Sequence, residues 1–139
     1  MKKIPLLVTS IGALLLPLST AQAQEVTLKA ASFLPRQVVF AKYFYQWADE
    51  VNKQCAGKVK ITIVGPAAVP SLKQWQALKS GVVDMHYGPA NYYAGAMPSG
   101  DVTVLADNEA KEWRKNGALA LLQEKHSKLL NAHFLTSML

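Results

Sequence analysis

The residues best suited to chemistry lie in one short stretch, between Gly81 and Tyr93. Asp84 and His86 are two residues apart, so on a strand they would share a face and form an acid–base pair or two metal ligands. The adjacent Tyr92 and Tyr93 follow, and they offer aromatic faces with hydrogen-bonding tips of the kind that small-molecule pockets use. The stretch therefore has two interpretations, a catalytic site and a binding site.

The catalytic interpretation finds little support in the neighbouring sequence. A metal site needs a third ligand at a matching spacing, and none follows, so we predict no metal and no cofactor. Cys55 is the only cysteine, so it can form no intramolecular disulfide, and a catalytic role would need a histidine from elsewhere in the fold. We therefore predict that Cys55 is half-buried, that His126 lies on a helix surface and that His133 lies in a strand.

The binding interpretation follows from what surrounds the two tyrosines. A run of β-prone residues predicts a strand over Val82–Tyr87, which Gly88 and Pro89 end sharply. Asn91, in the loop that follows, is either a turn former or an amide donor to a ligand. A stiff strand that leads into a loop with aromatic and amide side chains favours a ligand contact at one of the tyrosines.

Two further strands and a long helix precede this loop. Alternating apolar residues predict strands over Glu25–Ala31 and Lys58–Val64. Between them, apolar residues at three- and four-residue spacing predict an amphipathic helix from Val39 to near Gly57. The stripe that we assign to the core consists of Phe40, Tyr43, Phe44, Trp47 and Val51.

A shorter helix separates the second and third strands. We expect Ser71 to cap it and Gly81 to end it, with Leu72, Trp75 and Leu78 turned inward. The resulting order of strand, helix, strand, helix, strand predicts parallel pairing through helical crossovers. The fold class is therefore α/β, a mostly parallel sheet with helices on both faces.

In a parallel α/β sheet the ligand site lies outside the carboxyl ends of the strands, where the strand order reverses. Three segments leave those ends here: Ser32–Arg36, Gly65–Val69 and Gly88–Tyr93. We predict that all three line one crevice. Ser32 and Phe33 become candidate ligand contacts from their position alone.

The last third of the chain is predicted to hold a short strand over Asp101–Ala106, a long helix that stops at Asn131, and a strand over Ala132–Leu139 that the chain end interrupts. Asp107 or Asn108 would cap this helix, with Glu109 and Glu112 in its first turns. Gly117, in its middle, costs about 1 kcal/mol relative to alanine and weakens its continuity. The apolar side would consist of Ala110, Trp113, Gly117, Leu121, Leu122, Leu129 and Leu130.

The first residues predict export from the cytoplasm. Lys2 and Lys3 precede an apolar run, and Ala21 and Ala23 have the spacing that a signal peptidase recognises. The run is shorter than the ~20 residues that a membrane span needs. We therefore predict a signal peptide over residues 1–23, cleavage after Ala23 and a periplasmic domain over residues 24–139.

The charge of the mature chain argues against nucleic acid as a partner. Loss of two lysines lowers the net charge from +6 to +4, and the remaining basic residues are scattered. Nucleic-acid binding requires a clustered basic stripe with interleaved aromatic residues. A mild positive field instead favours small anionic ligands.

Several motifs together give the chain a family resemblance. Its central part runs from Gly65-Pro66 and Pro70-Ser71 through a helix with the pattern Leu-x-x-Gly-x-x-Asp to a loop with two tyrosines. These motifs resemble the solute-binding proteins of tripartite ATP-independent periplasmic (TRAP) transporters. The matching segments are Val26–Ser32, Trp47–Val51, Trp75–Gly81, Val83–Met85 and Pro89–Gly95. Glu112–Gly117 is similar to the branch that binds 2-oxo acids.

The resemblance implies a two-lobed protein that clamps an organic acid and delivers it to integral membrane permease subunits. In that family an arginine of the second lobe usually pairs with the ligand carboxylate. This chain resembles the first lobe only, and its two arginines, Arg36 and Arg114, lie outside any such motif. The second lobe is therefore expected to be missing, and with it half of the pocket.

Two functional hypotheses follow. The first is capture of a small anionic organic solute without chemistry, with ligand contacts from Tyr92, Tyr93, Asn91, Ser32 and Phe33. The second is an exported α/β enzyme that uses Asp84, His86 and Tyr92 for acid–base chemistry on an organic acid.

Overall fold

The structure, a computed structural model, describes residues 24–107 and 110–136. The predicted signal peptide, Asn108 and Glu109 lie outside the described residues. The strands are β1 (Val26–Ser32), β2 (Val59–Val64) and β3 (Met85–Tyr87), and the helices are α1 (Val39–Gln54), α2 (Gln74–Lys79), α3 (Val102–Leu105), α4 (Ala110–Lys115) and α5 (Ala118–Leu130). Short 3-10 turns cover Ser71–Lys73, Ala90–Tyr93 and Pro98–Asp101.

The three strands form a parallel sheet in the order β2-β1-β3. Ala30 pairs with Ile63 of β2 on one side and with Met85 of β3 on the other. β1 is therefore central, and β2 and β3 are edges. The predicted α/β fold with a parallel sheet is confirmed.

Residues of β3 alternate between the two faces of the sheet. Met85 and Tyr87 pack with the cluster that α1 forms over β1 and β2. His86, between them, points to the opposite face, where its ring contacts Tyr93. Helices therefore cover both faces, as predicted.

The buried face of α1 differs from the predicted stripe. Ala41, Phe44, Tyr45 and Ala48 are buried, whereas Phe40 and Tyr43 are 63% and 67% exposed and Trp47 is 37% exposed. The two alanines are almost fully buried, which places this face of the helix against its neighbours. Assignment of Phe40, Tyr43 and Trp47 to the core was wrong because close approach between elements favoured small residues over the largest ones.

The outer edge of β2 is covered by a side chain of α1. Asn52 Nδ2 donates to the carbonyl of Ile61 at 2.9 Å, and the amide of Ile61 donates to Asn52 Oδ1 at 2.6 Å. The amide side chain therefore replaces a neighbouring strand at this residue, which protects an otherwise open sheet edge.

The helix and strand before the tyrosine loop are shorter than predicted. Leu72 is 63% exposed, in a 3-10 turn, and Ser71 bonds elsewhere, so neither the predicted cap nor the inward Leu72 is correct. β3 begins at Met85 because the amides of Val82 and Val83 both donate to the carbonyl of Ala77 in the turn after α2. Gly81, with φ at 74°, permits that turn.

The predicted strand over Asp101–Ala106 is wrong, because this segment forms the end of a 3-10 turn and helix α3. Val102, Val104 and Leu105 are all largely exposed, so no sheet buries them. Thr103 Oγ1 donates back to the carbonyl of Gly100 at 2.8 Å, which stabilises the turn.

The predicted long helix is two helices, because Gly117 adopts a left-handed conformation with φ at 84° between α4 and α5. Leu121 and Leu129 are 54% and 39% exposed, which corrects their assignment to the apolar side, whereas Trp113, Leu122 and Leu130 are buried. Asn131, also left-handed, ends α5 as predicted.

The part of the predicted strand Ala132–Leu139 that the structure describes, residues 132–136, has no strand geometry. No described strand lies beside it to supply a ladder of hydrogen bonds. Residues 137–139 lie outside the described residues. None of the described helices has the length and apolar character needed to cross a membrane.

We predict that Phe44→Ala lowers the free energy of unfolding by about 3 to 5 kcal/mol, because it empties a site that α1, β1 and β2 share. Tyr43→Ala, one position away and exposed, should change stability by less than about 0.5 kcal/mol. Urea denaturation of both variants measures the difference. Equal losses would show that the buried face of α1 has been misassigned.

Candidate ligand-binding groove

A groove of about 830 Å³ opens at the carboxyl ends of β1 and β3. Its volume lies in the range of small-molecule sites, whereas a second apolar cleft, beside Trp113 and Leu122, measures only about 80 Å³. Aromatic side chains of α1 line one end, and the end of α5 with residues 131–136 lines the other. The larger groove is therefore the candidate site.

Of the five predicted ligand contacts, two line the groove and three do not. Phe33 and Tyr93 line it. Tyr92 packs edge-on against Phe33, with ring centroids 5.8 Å apart, and Asn91 is exposed on the 3-10 turn. Ser32 is fully buried, and its hydroxyl donates to the carbonyl of Leu34 at 2.8 Å.

Two of the three predicted crevice segments contribute to the groove. Phe33 and Leu34 follow β1, and Gly88, Pro89 and Tyr93 follow β3, but no residue of 65–69 is in the lining. The reason is the strand order: the chain passes from β1 to β2 on one side and then to β3 on the other, so the reversal lies between β1 and β3. The prediction that the segment after β2 lines the same crevice was wrong.

The segment after β2 instead holds the groove loops in place. Gln74, at the start of α2, is fully buried, and its Nε2 donates to the carbonyls of Ser32 at 2.8 Å and Val69 at 2.9 Å. Ser71 Oγ donates to the carbonyl of Phe33 at 2.8 Å. Sequence analysis missed Gln74, although an amide at an inward position of an otherwise apolar helix face is the signal that indicates such a role.

Asp84 is among the residues that line the groove, but its carboxylate is bonded to the backbone of β1. Its Oδ2 accepts a hydrogen bond from the Lys29 amide at 2.8 Å, and its own amide donates to the Lys29 carbonyl. The carboxylate thereby extends the pairing of β1 with the segment before β3. The side chain of Asp84 therefore has a structural role.

His86 lies deeper in the groove wall, and burial lowers its pKa to about 4. Its Nε2 is buried without a hydrogen-bond partner among the described residues. A Cβ added at Gly88 would stand 2.7 Å from this nitrogen, so glycine is what makes room for the ring. Among the described residues, no three histidine, cysteine, aspartate or glutamate side chains are grouped closely enough to hold a metal ion.

Tyr93 and His126 form a buried pair at the groove. The Tyr93 hydroxyl lies 3.2 Å from His126 Nε2, and His126 Nδ1 lies 2.7 Å from the Leu122 carbonyl oxygen. Burial raises the pKa of Tyr93 to about 12 and lowers the pKa of His126, an effect that the bond to Leu122 opposes. The prediction of His126 as a helix-surface residue was wrong, because it is only 5% exposed.

The described residues that line the groove include no lysine or arginine. Arg36 lies outside the lining and makes two 2.9 Å bonds to Asp49, which lower the pKa of that carboxyl group, while its guanidinium stacks over Tyr45. His133 is exposed and lies outside any strand, although it lines the groove. Cys55 is half-buried, as predicted.

The parallel sheet, with the groove at its strand-order reversal, makes the described part of the chain an α/β lobe. Among solved structures, the chain is similar to a TRAP periplasmic solute-binding protein from Pseudoalteromonas atlantica, solved with sodium and pyruvate bound. The TM-score is 0.66 at 15% sequence identity, over 76% of this chain and 35% of that chain.

At this identity the likeness concerns the fold, and it confirms the resemblance to TRAP solute-binding proteins at that level. The chain spans about a third of the length of the solved protein. No family model matches the chain.

We predict that Gln74→Ala destabilises the fold by about 2 to 4 kcal/mol, because it leaves two carbonyl oxygens without their donor. Gln76→Ala is the matched control, since Gln76 lies in the same helix and is exposed. Its expected effect is below about 0.5 kcal/mol. Chemical denaturation checks both, and a Gln74→Ala protein as stable as the control would contradict the role of this amide.

We predict that His86 makes stability depend on pH. The folded protein keeps its ring neutral, whereas the unfolded chain takes up a proton below pH 6.5, so this contribution is complete above pH 6.5 and is lost as the pH falls toward 4. The loss approaches about 3 kcal/mol. Denaturation of the wild type and His86→Gln between pH 7.5 and 4 measures it as the difference between the two curves; parallel curves would contradict it.

Proposed function

We propose that this chain is the extracytoplasmic solute-binding component of a TRAP-type transporter and that it forms one wall of a site for a small organic acid. The observation that carries the proposal is the position of the groove. It lies at the carboxyl ends of β1 and β3, where α/β folds bind ligands, and it is lined by Phe33 and Tyr93.

The composition of the groove supports capture of a small molecule. Aromatic and aliphatic side chains dominate its lining, and the polar residues among them include Tyr93, His86, His126 and Asp84. Tyr92 supports the wall by packing on Phe33. Ser32, the last residue of β1, and Asn91, on the 3-10 turn after β3, stay in the proposal as residues next to the groove lining, with 2-oxo acids such as pyruvate among the first ligands to test.

The absence of a cation from the described lining leads to the second part of the proposal. A carboxylate is held best by charge-assisted hydrogen bonds. We propose that a second lobe supplies them and that closure of the two lobes around the solute completes the site. The single lobe formed by residues 24–139 would then bind weakly.

The proposal also includes export and delivery. Residues 1–23 act as a cleaved signal peptide, the mature protein works in the periplasm, and integral membrane permease subunits receive the solute. The apolar run with small residues at positions 21 and 23 supports the first of these steps.

The enzyme hypothesis draws less support from the geometry. It needs Asp84, His86 and Tyr92 to converge on a substrate, but Asp84 is bonded to the Lys29 backbone and Tyr92 is outside the groove lining. We therefore assign no catalytic step. Turnover of an organic acid that disappears in His86→Ala would establish the enzyme instead.

We predict that organic acids raise the melting temperature of a longer form that continues past Leu139 into a second lobe. At a hundredfold excess over Kd the stabilisation is about 2.7 kcal/mol, or roughly 5 to 10 °C. The 139-residue chain should show little or no shift and should aggregate, because the lobe exposes apolar surface and a sheet edge.

Two variants of the longer form serve as test and control. Phe33→Ala removes a groove ring and should reduce the shift, whereas Tyr43→Ala removes an exposed ring outside the lining and should not. The mass of the exported protein should correspond to a chain that begins at Gln24. A panel of organic acids that leaves the longer form unshifted would refute the capture function.

A further inference from the structure

The hydrogen bonds of His126 determine which of its nitrogens carries the proton. Nδ1 lies 2.7 Å from the Leu122 carbonyl oxygen, which has no hydrogen and can only accept. Nδ1 must therefore be the donor. Because burial lowers the pKa of His126 from 6.5, the ring is neutral at pH 7 and its Nε2 is an unprotonated acceptor.

The state of His126 in turn orients the hydroxyl group of Tyr93. The two side chains meet at 3.2 Å, and Nε2 has no hydrogen to give, so the Tyr93 hydroxyl donates its own. The high pKa of Tyr93, about 12, keeps that hydroxyl protonated. Only the lone pairs of the Tyr93 oxygen remain for another partner.

This arrangement decides what a ligand can place against the Tyr93 oxygen. An anionic carboxylate or a ketone oxygen would bring a second acceptor against an acceptor, with no hydrogen between them. A hydroxyl group of the ligand could donate to it. No lysine or arginine in the described lining is present to reverse this preference.

Resting on the function proposed above, we propose that the Tyr93–His126 pair makes this wall of the groove a hydrogen-bond acceptor that selects the hydroxyl-bearing end of the solute. The chain should therefore prefer a 2-hydroxy acid to the 2-oxo acid of the same carbon skeleton. Tyr93 is the contact residue, and His126 is a positioning residue that acts through it.

Two substitutions of His126 test whether this residue orients the Tyr93 hydroxyl or only packs against the Tyr93 ring. His126→Gln places an amide oxygen near the position of Nε2 and retains an acceptor for Tyr93. His126→Asn places an amide nitrogen near Nδ1, so it retains the bond to Leu122 but frees the Tyr93 hydroxyl to donate to a ligand. Both variants keep a neutral amide at the same position of α5.

The first arm of the experiment is independent of any ligand. Long-range proton–nitrogen NMR correlations of the full chain at pH 7 should show His126 as the Nδ1–H tautomer. The Nε2–H tautomer or a doubly protonated ring would overturn the inference. This arm uses the wild type, so it does not depend on the folding of a variant.

The second arm compares lactate with pyruvate by NMR titration of the same chain, at concentrations that detect weak binding. The wild type and His126→Gln should bind lactate about tenfold more tightly, and His126→Asn should lose or reverse that ratio. Equal or tighter binding of pyruvate by the wild type would overturn the inference and leave the capture function standing. Failure of this chain to bind either acid would overturn the inference about this wall of the groove, whereas the capture function is tested separately by the melting shift of the longer form.

Discussion

The groove depends on one buried amide. The Nε2 atom of Gln74 donates to the carbonyls of both Ser32 and Val69. Ser32 ends β1, and Val69 lies in the segment that follows β2. The Gln74 side chain is fully buried. A carbonyl buried without a donor is unfavourable by about 1 to 3 kcal/mol, so the loops after β1 and β2 are fixed relative to α2. Ser71 adds the carbonyl of Phe33 to the same junction. The bonds from Gln74 and Ser71 to the backbone of Ser32 and Phe33 therefore help to fix the position of Phe33 in the groove.

The two edges of the sheet have different neighbours. At β2, Asn52 bonds both the amide and the carbonyl of Ile61, so the edge is covered by the protein itself. β3 lies at the other edge, beside the groove. Phe44 stacks on Tyr87 at 4.6 Å, and the Tyr87 hydroxyl donates to the Phe40 carbonyl, so α1 is held against the groove edge even though several of its aromatic rings are exposed. These contacts hold aromatic surface beside the groove, and aromatic side chains are typical of the lining of small-molecule sites.

The sequence predicted the succession of strands and helices along the chain and the parallel direction of the strands, because parallel strands between helices are short apolar runs with clear glycine and proline boundaries. It failed on which face of α1 is buried, since hydrophobic periodicity weighs a tryptophan above an alanine, whereas the folded helix buries Ala41 and Ala48. It failed again after Tyr93, where a 3-10 turn and a short helix replaced the strand predicted over Asp101–Ala106 and residues 132–136 have no strand geometry. No local pattern indicates whether a neighbouring strand exists to pair with Asp101–Ala106, because that depends on the topology of the whole sheet.

The residues of the groove illustrate a second limit of sequence-based prediction. Two adjacent tyrosines on a 3-10 turn point about 120° apart, so only one of them can line the groove, and the sequence does not say which. The structure assigns that place to Tyr93, and it gives Tyr93 a partner 33 residues away. That partner matters because a hydroxyl group is both donor and acceptor until a neighbour uses its hydrogen. The chemistry that Tyr93 presents to the groove is therefore determined by His126, and the tautomer of His126 is determined by the carbonyl of Leu122 one helical turn before it.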